Sequence, residues 1–195
     1  MRGYGLFVLI VLSAGFMVGR SFHPNLGDTY ELVLYALVFL IGLDIGMEPV
    51  LPGSGRAQLA LPVLLLPMST MAASMAAGIL SAILFGMPLK YAAAIGAGCG
   101  WYSYTGPVIA SYSALYGTVG FLSNLFRELL TIAAYPVLKK YVSPGPLVSI
   151  GGATTMDTTL GIIREAGGRE AGIVAFIHGF VLTMAVPFLV PLLLG

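Results

Sequence analysis

Five ionisable residues of this sequence stand in apolar surroundings: Asp44, Arg127, Glu128, Asp157 and His178. At membrane depth such a side chain costs about 2.5–3.5 kcal/mol on insertion scales, so each needs a reason to be there. Asp157 has the clearest one. It lies in Thr154-Thr155-Met156-Asp157-Thr158-Thr159, just ahead of an apolar run. Capping the start of a helix takes one Asp or Thr oxygen. Four threonines around one aspartate exceed that need. Hydroxyls and a carboxylate at the start of a half-helix are how transporters build a mid-membrane site. Asp157, Thr154, Thr155 and Thr158 are therefore candidates to hold substrate or proton.

Glu128 and Arg127 are neighbours inside one apolar segment. Adjacent helical residues face different sides, so the two need not pair with each other. A buried ion pair does little for stability, and both residues read as functional. Asp44 ends a segment in Gly42-Leu43-Asp44-Ile45-Gly46, with Glu48 and Pro49 close behind. It reads equally as a site residue and as an interfacial one. His178 reads more readily as a packing residue than as a proton shuttle. A last candidate is the stretch 98–107, where Trp101, Tyr102, Ser103, Tyr104 and Thr105 are framed by Gly96, Gly98, Gly100 and Gly106. An aromatic belt at the membrane surface would not need the glycines. Unwound carbonyls and ring faces attract ammonium groups, so Trp101, Tyr102 and Ser103 suit an amine substrate.

The elements that must position these residues are hydrophobic segments. Of 195 residues, 58% are hydrophobic and 9% charged, against about 25% charged in soluble domains. The mean hydropathy of +0.96 agrees. The sequence predicts an all-α integral membrane protein forming one transporter domain over 1–195. The formal charge of +1 gives no signal for nucleic acid. Zinc spacings, a Walker motif and GxSxG are missing, so no enzyme and no cofactor are expected. A single cysteine, Cys99, forms no internal disulfide.

A spanning helix needs about 20 apolar residues. Segments are expected at 4–19, 30–45 and 59–85, the third kinked by Pro62 and Pro67. The first has no small-x-small cleavage site after it and reads as a span rather than a leader. A fourth starts at Leu89, unwinds through 96–107 and resumes to Tyr116. The fifth covers 119–138. The sixth is apolar at 147–150, polar and small at 151–159, apolar again at 160–163, and followed by a charged loop over 164–170. The seventh covers 171–194. About seven segments result, the fourth and sixth being broken helices that meet near the midplane.

Three passages also resemble one family: Gly98 to Pro107, then Asn124-Leu125-Phe126-Arg127-Glu128-Leu129-Leu130, then Gly152 to Leu160, with His178-Gly179 following. In this order they are similar to lysine exporters of the LysO type. The resemblance implies efflux of L-lysine and similar cationic amino acids across the cytoplasmic membrane by a multi-pass protein. It implies proton antiport, with the family's acids falling on Glu128 and Asp157. Longer members carry an extra N-terminal hydrophobic block, so a homodimer or a heteromer with a small membrane protein is expected. Two other classes remain open: an ion-coupled transporter or channel for another small solute, and a non-transporting membrane subunit.

Overall fold

The computed structural model of the chain describes residues 2–22, 29, 32, 36, 39–40, 43 and 56–195. Asp44 and most of the expected segment 30–45 lie outside them. The chain divides into two compact units, Met1–Pro49 and Val50–Gly195. In the first, helix α1 covers Arg2–Phe22. The second contains α2 (Arg56–Phe85), α3 (Leu89–Ala97), α4 (Tyr102–Ala110), α5 (Ala114–Leu138), a short α6 (Pro144–Leu147), two 3-10 turns (Val148–Ile150 and Gly152–Met156), α7 (Leu160–Gly167) and α8 (Arg169–Leu194). Among the described residues there is no strand, and the all-α expectation holds.

Among the described residues two helices are long and apolar enough to cross a membrane: Leu64–Phe85, with mean hydropathy 1.7, and Arg169–Leu194, with mean hydropathy 2.3. The polarity of the second unit is inverted relative to a water-soluble bundle. On α5 the inward residues are Gly117, Gly120, Asn124, Glu128, Thr131 and Tyr135. These recur every third or fourth position, which is one face of a helix. Outward stand Leu122, Phe126, Leu129 and Leu130. Small and polar residues face the neighbouring helices, and large apolar ones face out, as lipid-facing helices require. Helix α2 follows the same logic where it meets α3. A Cβ at Gly78 would overlap the Ala92 carbonyl, and one at Gly96 the Ser74 carbonyl. The two backbones are therefore in direct contact.

Three boundaries differ from the sequence expectation. The stretch expected to unwind over 96–107 leaves the helix only at 98–101, since α3 runs to Ala97 and α4 begins at Tyr102 with Pro107 inside it. The run after Pro107 does not continue to Tyr116. Helix α4 stops at Ala110, and Ser113 is extended (φ −158°, ψ 113°) before α5 begins at Ala114. The expected charged loop over 164–170 is also replaced by helix. Arg164, Glu165 and Ala166 are good helix formers, so α7 continues to Gly167. Gly168 alone turns the chain, with φ +86°, into α8. Glycine takes that left-handed conformation without the Cβ penalty.

Candidate functional site

Helix α5 holds the site together, because its inward stripe laces two irregular turns. The first turn lies between α3 and α4. After Ala97 the chain passes through Gly98, Cys99 (φ 47°) and Gly100 (φ 94°). Leaving the helix there frees backbone groups that need partners. Asn124 supplies them. Its Oδ1 accepts the Gly100 N–H at 2.6 Å, and its Nδ2 donates to the Ile95 carbonyl at 3.2 Å and the Gly120 carbonyl at 2.9 Å.

One helical turn on, Arg127 clamps the second irregular stretch. Its Nε donates to the Ile150 carbonyl at 2.9 Å, Nη2 to the Ser149 carbonyl at 2.9 Å, and Nη1 to Ser74 Oγ on α2 at 2.6 Å. The guanidinium fork suits this three-way contact, since it offers five N–H donors in a fixed geometry. The two turns also bond to each other directly: the Ala153 N–H donates to the Cys99 carbonyl at 2.8 Å. Gly152 makes this approach possible, because at φ +67° any Cβ would overlap the Cys99 carbonyl oxygen.

Glu128 leaves α5 on another side. It is 7% exposed, and its Oε2 is buried without a hydrogen-bond partner. Thr158, Asp157 and Tyr102 are the groups within electrostatic reach of its carboxylate. Asp157 closes the second 3-10 turn with an irregular backbone (φ −134°, ψ −90°). Its Oδ1 accepts the N–H of the next residue, Thr158, at 2.5 Å. Helix α7 starts after Thr159 with no side-chain cap. Capping therefore does not account for Asp157.

The threonines divide in a way the sequence did not disclose. Thr154 donates to the Gly151 carbonyl, Thr155 to the Gly152 carbonyl and Thr159 to the Thr154 carbonyl, at 2.8–3.0 Å. They shape the turn. Thr158 is exposed, with its Oγ1 3.4 Å from Asp157 Oδ1. The expected aromatic group divides too. Tyr102 lies edge-on against Phe121 and reaches Glu128. Trp101 packs beside Tyr104 against the apolar core, and Ser103 is exposed.

Sequence reasoning missed Asn124, Ser74 and Thr70, whose hydroxyl lies 2.9 Å from His178 Nε2. Asn124 was within reach of it: with Glu128 and Thr131 it forms a polar stripe at helical spacing. Ser74 and Thr70 gave no signal, being ordinary residues of an apolar helix. Among the described residues no group of His, Cys, Asp or Glu is placed to hold a metal ion.

Known proteins resemble this chain in sequence. The chain is 30% identical over 186 residues to lysine exporter LysO of Escherichia coli K12, covering 92% of this chain and 60% of that protein. It thus spans about three fifths of that relative's length. It is 28% identical over 190 residues to a putative lysine exporter of Haemophilus influenzae Rd, covering 93% of this chain and 92% of that protein. No solved structure matches. The family described as lysine exporter LysO matches residues 9–194, nearly the whole chain and including segments 124–128 and 152–159, and the chain belongs to that family.

Proposed function

We propose that the chain is a multi-pass transporter of the cytoplasmic membrane that exports L-lysine and similar cationic amino acids in exchange for protons. The observation that carries this reading is Glu128: a buried acid with one oxygen unfilled, facing Asp157, Thr158 and Tyr102. The hydroxyls of Thr158 and Tyr102 reach the carboxylate without filling that oxygen, and a buried oxygen left without a donor is costly. An arriving ammonium supplies both the missing donors and the opposite charge, and a proton supplies the same oxygen in its absence. One carboxyl that takes either cation, but not both, is the minimum an antiporter needs.

In this reading the turns at Gly98–Gly100 and 148–156 are the unwound centres of two interrupted spans near the midplane, among about seven segments in a single transporter domain. Irregular backbone at that depth is tolerated only when buried in protein or lining a cavity, and the bonds from Asn124 and Arg127 provide the burial. Glu128 and Asp157 hold the lysine ammonium. The half-helix that begins past Asp157, with the Thr158 hydroxyl, and the 98–107 segment, through Tyr102, serve its carboxylate and polar atoms. Arg127 acts by holding the second turn in place.

Counterflow of labelled lysine in proteoliposomes, with and without an imposed pH gradient, tests the proposal. Lysine flux accelerated by the gradient is the expected result. Sodium-dependent flux without lysine movement would assign another solute, and no flux of any solute would assign a non-transporting subunit.

A further inference from the structure

His178, in the middle of α8, is completely buried, with both ring nitrogens engaged. Nδ1 lies 3.0 Å from Thr155 Oγ1, in the turn that leads to Asp157, and Nε2 lies 2.9 Å from Thr70 Oγ1, on α2. Each threonine hydroxyl also reaches a backbone carbonyl: Thr155 that of Gly152 at 2.8 Å, and Thr70 that of Leu66 at 2.8 Å. Four contacts thus run in a row from α2 through α8 to the turn. A neutral imidazole brings one N–H and each threonine one O–H. Three protons serve these four contacts, and the ring also stands against the Gly152 carbonyl. Ionising the ring would fill the fourth, but would place a charge on a completely buried side chain, which is costly.

The shortfall makes the row two-state. The threonine facing the bare nitrogen either turns its hydroxyl to the ring and abandons its carbonyl, or keeps the carbonyl and loses the ring. No covalent bond changes; a hydroxyl rotates. With the bare nitrogen at Nδ1, the choice falls on Thr155, and the Gly152 carbonyl is released or held. That carbonyl belongs to the 152–156 turn, which is pinned on its other side to Cys99. Helix α8 touches the same turn directly: a Cβ at Gly179 would overlap the Met156 backbone nitrogen.

We propose that Thr70, His178 and Thr155 form a latch between α2 and the turn carrying Asp157, and that switching its hydrogen bonds is a step of transport. His178 is then a positioning residue acting through Thr155, and the proposal rests on the lysine-export reading above. The latch has a readout that needs no substrate.

Thr70→Val removes the far end of the row without touching the turn. In the full-length protein, amide hydrogen exchange at Ala153–Thr159 should quicken by about fivefold or more, as local opening becomes easier, while Cys99 and Gly100 keep their protection. Thr70→Ser should restore wild-type exchange. In proteoliposomes, Thr70→Val should lower the maximal lysine export rate by about tenfold, with KM changed less than about threefold, because Glu128 and Asp157 are intact. Adding His178→Asn should lower the rate no further, since both changes break one row. Unchanged exchange at Ala153–Thr159 in Thr70→Val overturns the latch, even if His178→Asn fails to fold. Faster exchange with full lysine export removes its role in transport. Faster exchange in a protein whose wild type moves no lysine leaves the latch standing and overturns the function.

Discussion

At the scale of single residues the site separates charge from shape. Asp157 accepts the Thr158 N–H through an oxygen that an asparagine retains. Asp157→Asn should therefore fold and insert normally, yet lose lysine export by about a hundredfold or more, the scale of losing one charged partner of a buried contact. Uptake assays on membranes with matched protein levels check this, and near-normal export by the folded variant would sink it. Glu128 has the complementary role. Glu128→Gln fixes the uncharged form, so it should abolish gradient-driven uphill export and weaken lysine binding, while Glu128→Asp keeps part of both. Lysine binding to the wild type should release protons, seen as a dependence of the calorimetric enthalpy on buffer ionisation enthalpy. If no proton is released, Glu128 is not the coupling group. Both acids stand out as candidates in the sequence because charge in an apolar segment is expensive wherever it points. The threonines were only partly legible. Composition reveals hydroxyls but not their partners, and those of Thr154, Thr155 and Thr159 are spent on their own turn.

At the scale of elements, the order of apolar runs and glycine clusters located most of the helices, and the errors fell where polarity and conformation part company. The charged stretch 164–170 reads as loop by polarity, but its residues favour helix, and only Gly168 turns. The bonds from Asn124 and Arg127 could not be read from the sequence, since their partners are carbonyls of distant residues. They make the two turns one unit, and Gly152 is its tightest point. An L-residue in the left-handed region costs about 1–2 kcal/mol, and Gly152→Ala adds the overlap with the Cys99 carbonyl. The variant should lose several degrees of thermal stability in detergent and most of its transport. Gly161→Ala, on exposed α7 with nothing within 4 Å of the new Cβ, should instead be neutral or gain up to about 1 kcal/mol from helix propensity. Equal thermal midpoints for the two variants would mean that the contact between the turns does not hold the site.

At the scale of the whole molecule, α2 carries a stripe of small residues that the second unit by itself does not explain. Ser69, Ala73 and Ala77 recur every fourth residue and are exposed. Beside them a recess of about 350 Å³ is lined by Thr70, Ala73, Ser74, Ala77, Arg127 and Ser149. Small residues at this spacing let helices approach closely inside a bilayer. A recess containing a guanidinium is also a poor surface to leave against hydrocarbon chains. The expected assembly is a homodimer in which this stripe of α2 meets the same stripe of a second copy. A two-fold contact brings like residues together at its axis, which makes the test direct. The native Cys99 is buried, so Ala73→Cys adds one accessible thiol per chain. Mild oxidation of native membranes should convert most of the Ala73→Cys protein to a disulfide-linked dimer. A cysteine placed on the opposite face of α5, at Leu130, should stay monomeric. Ala73→Cys that remains monomeric, in membranes still exporting lysine, would show that the stripe is not the interface and that transport does not require this pairing.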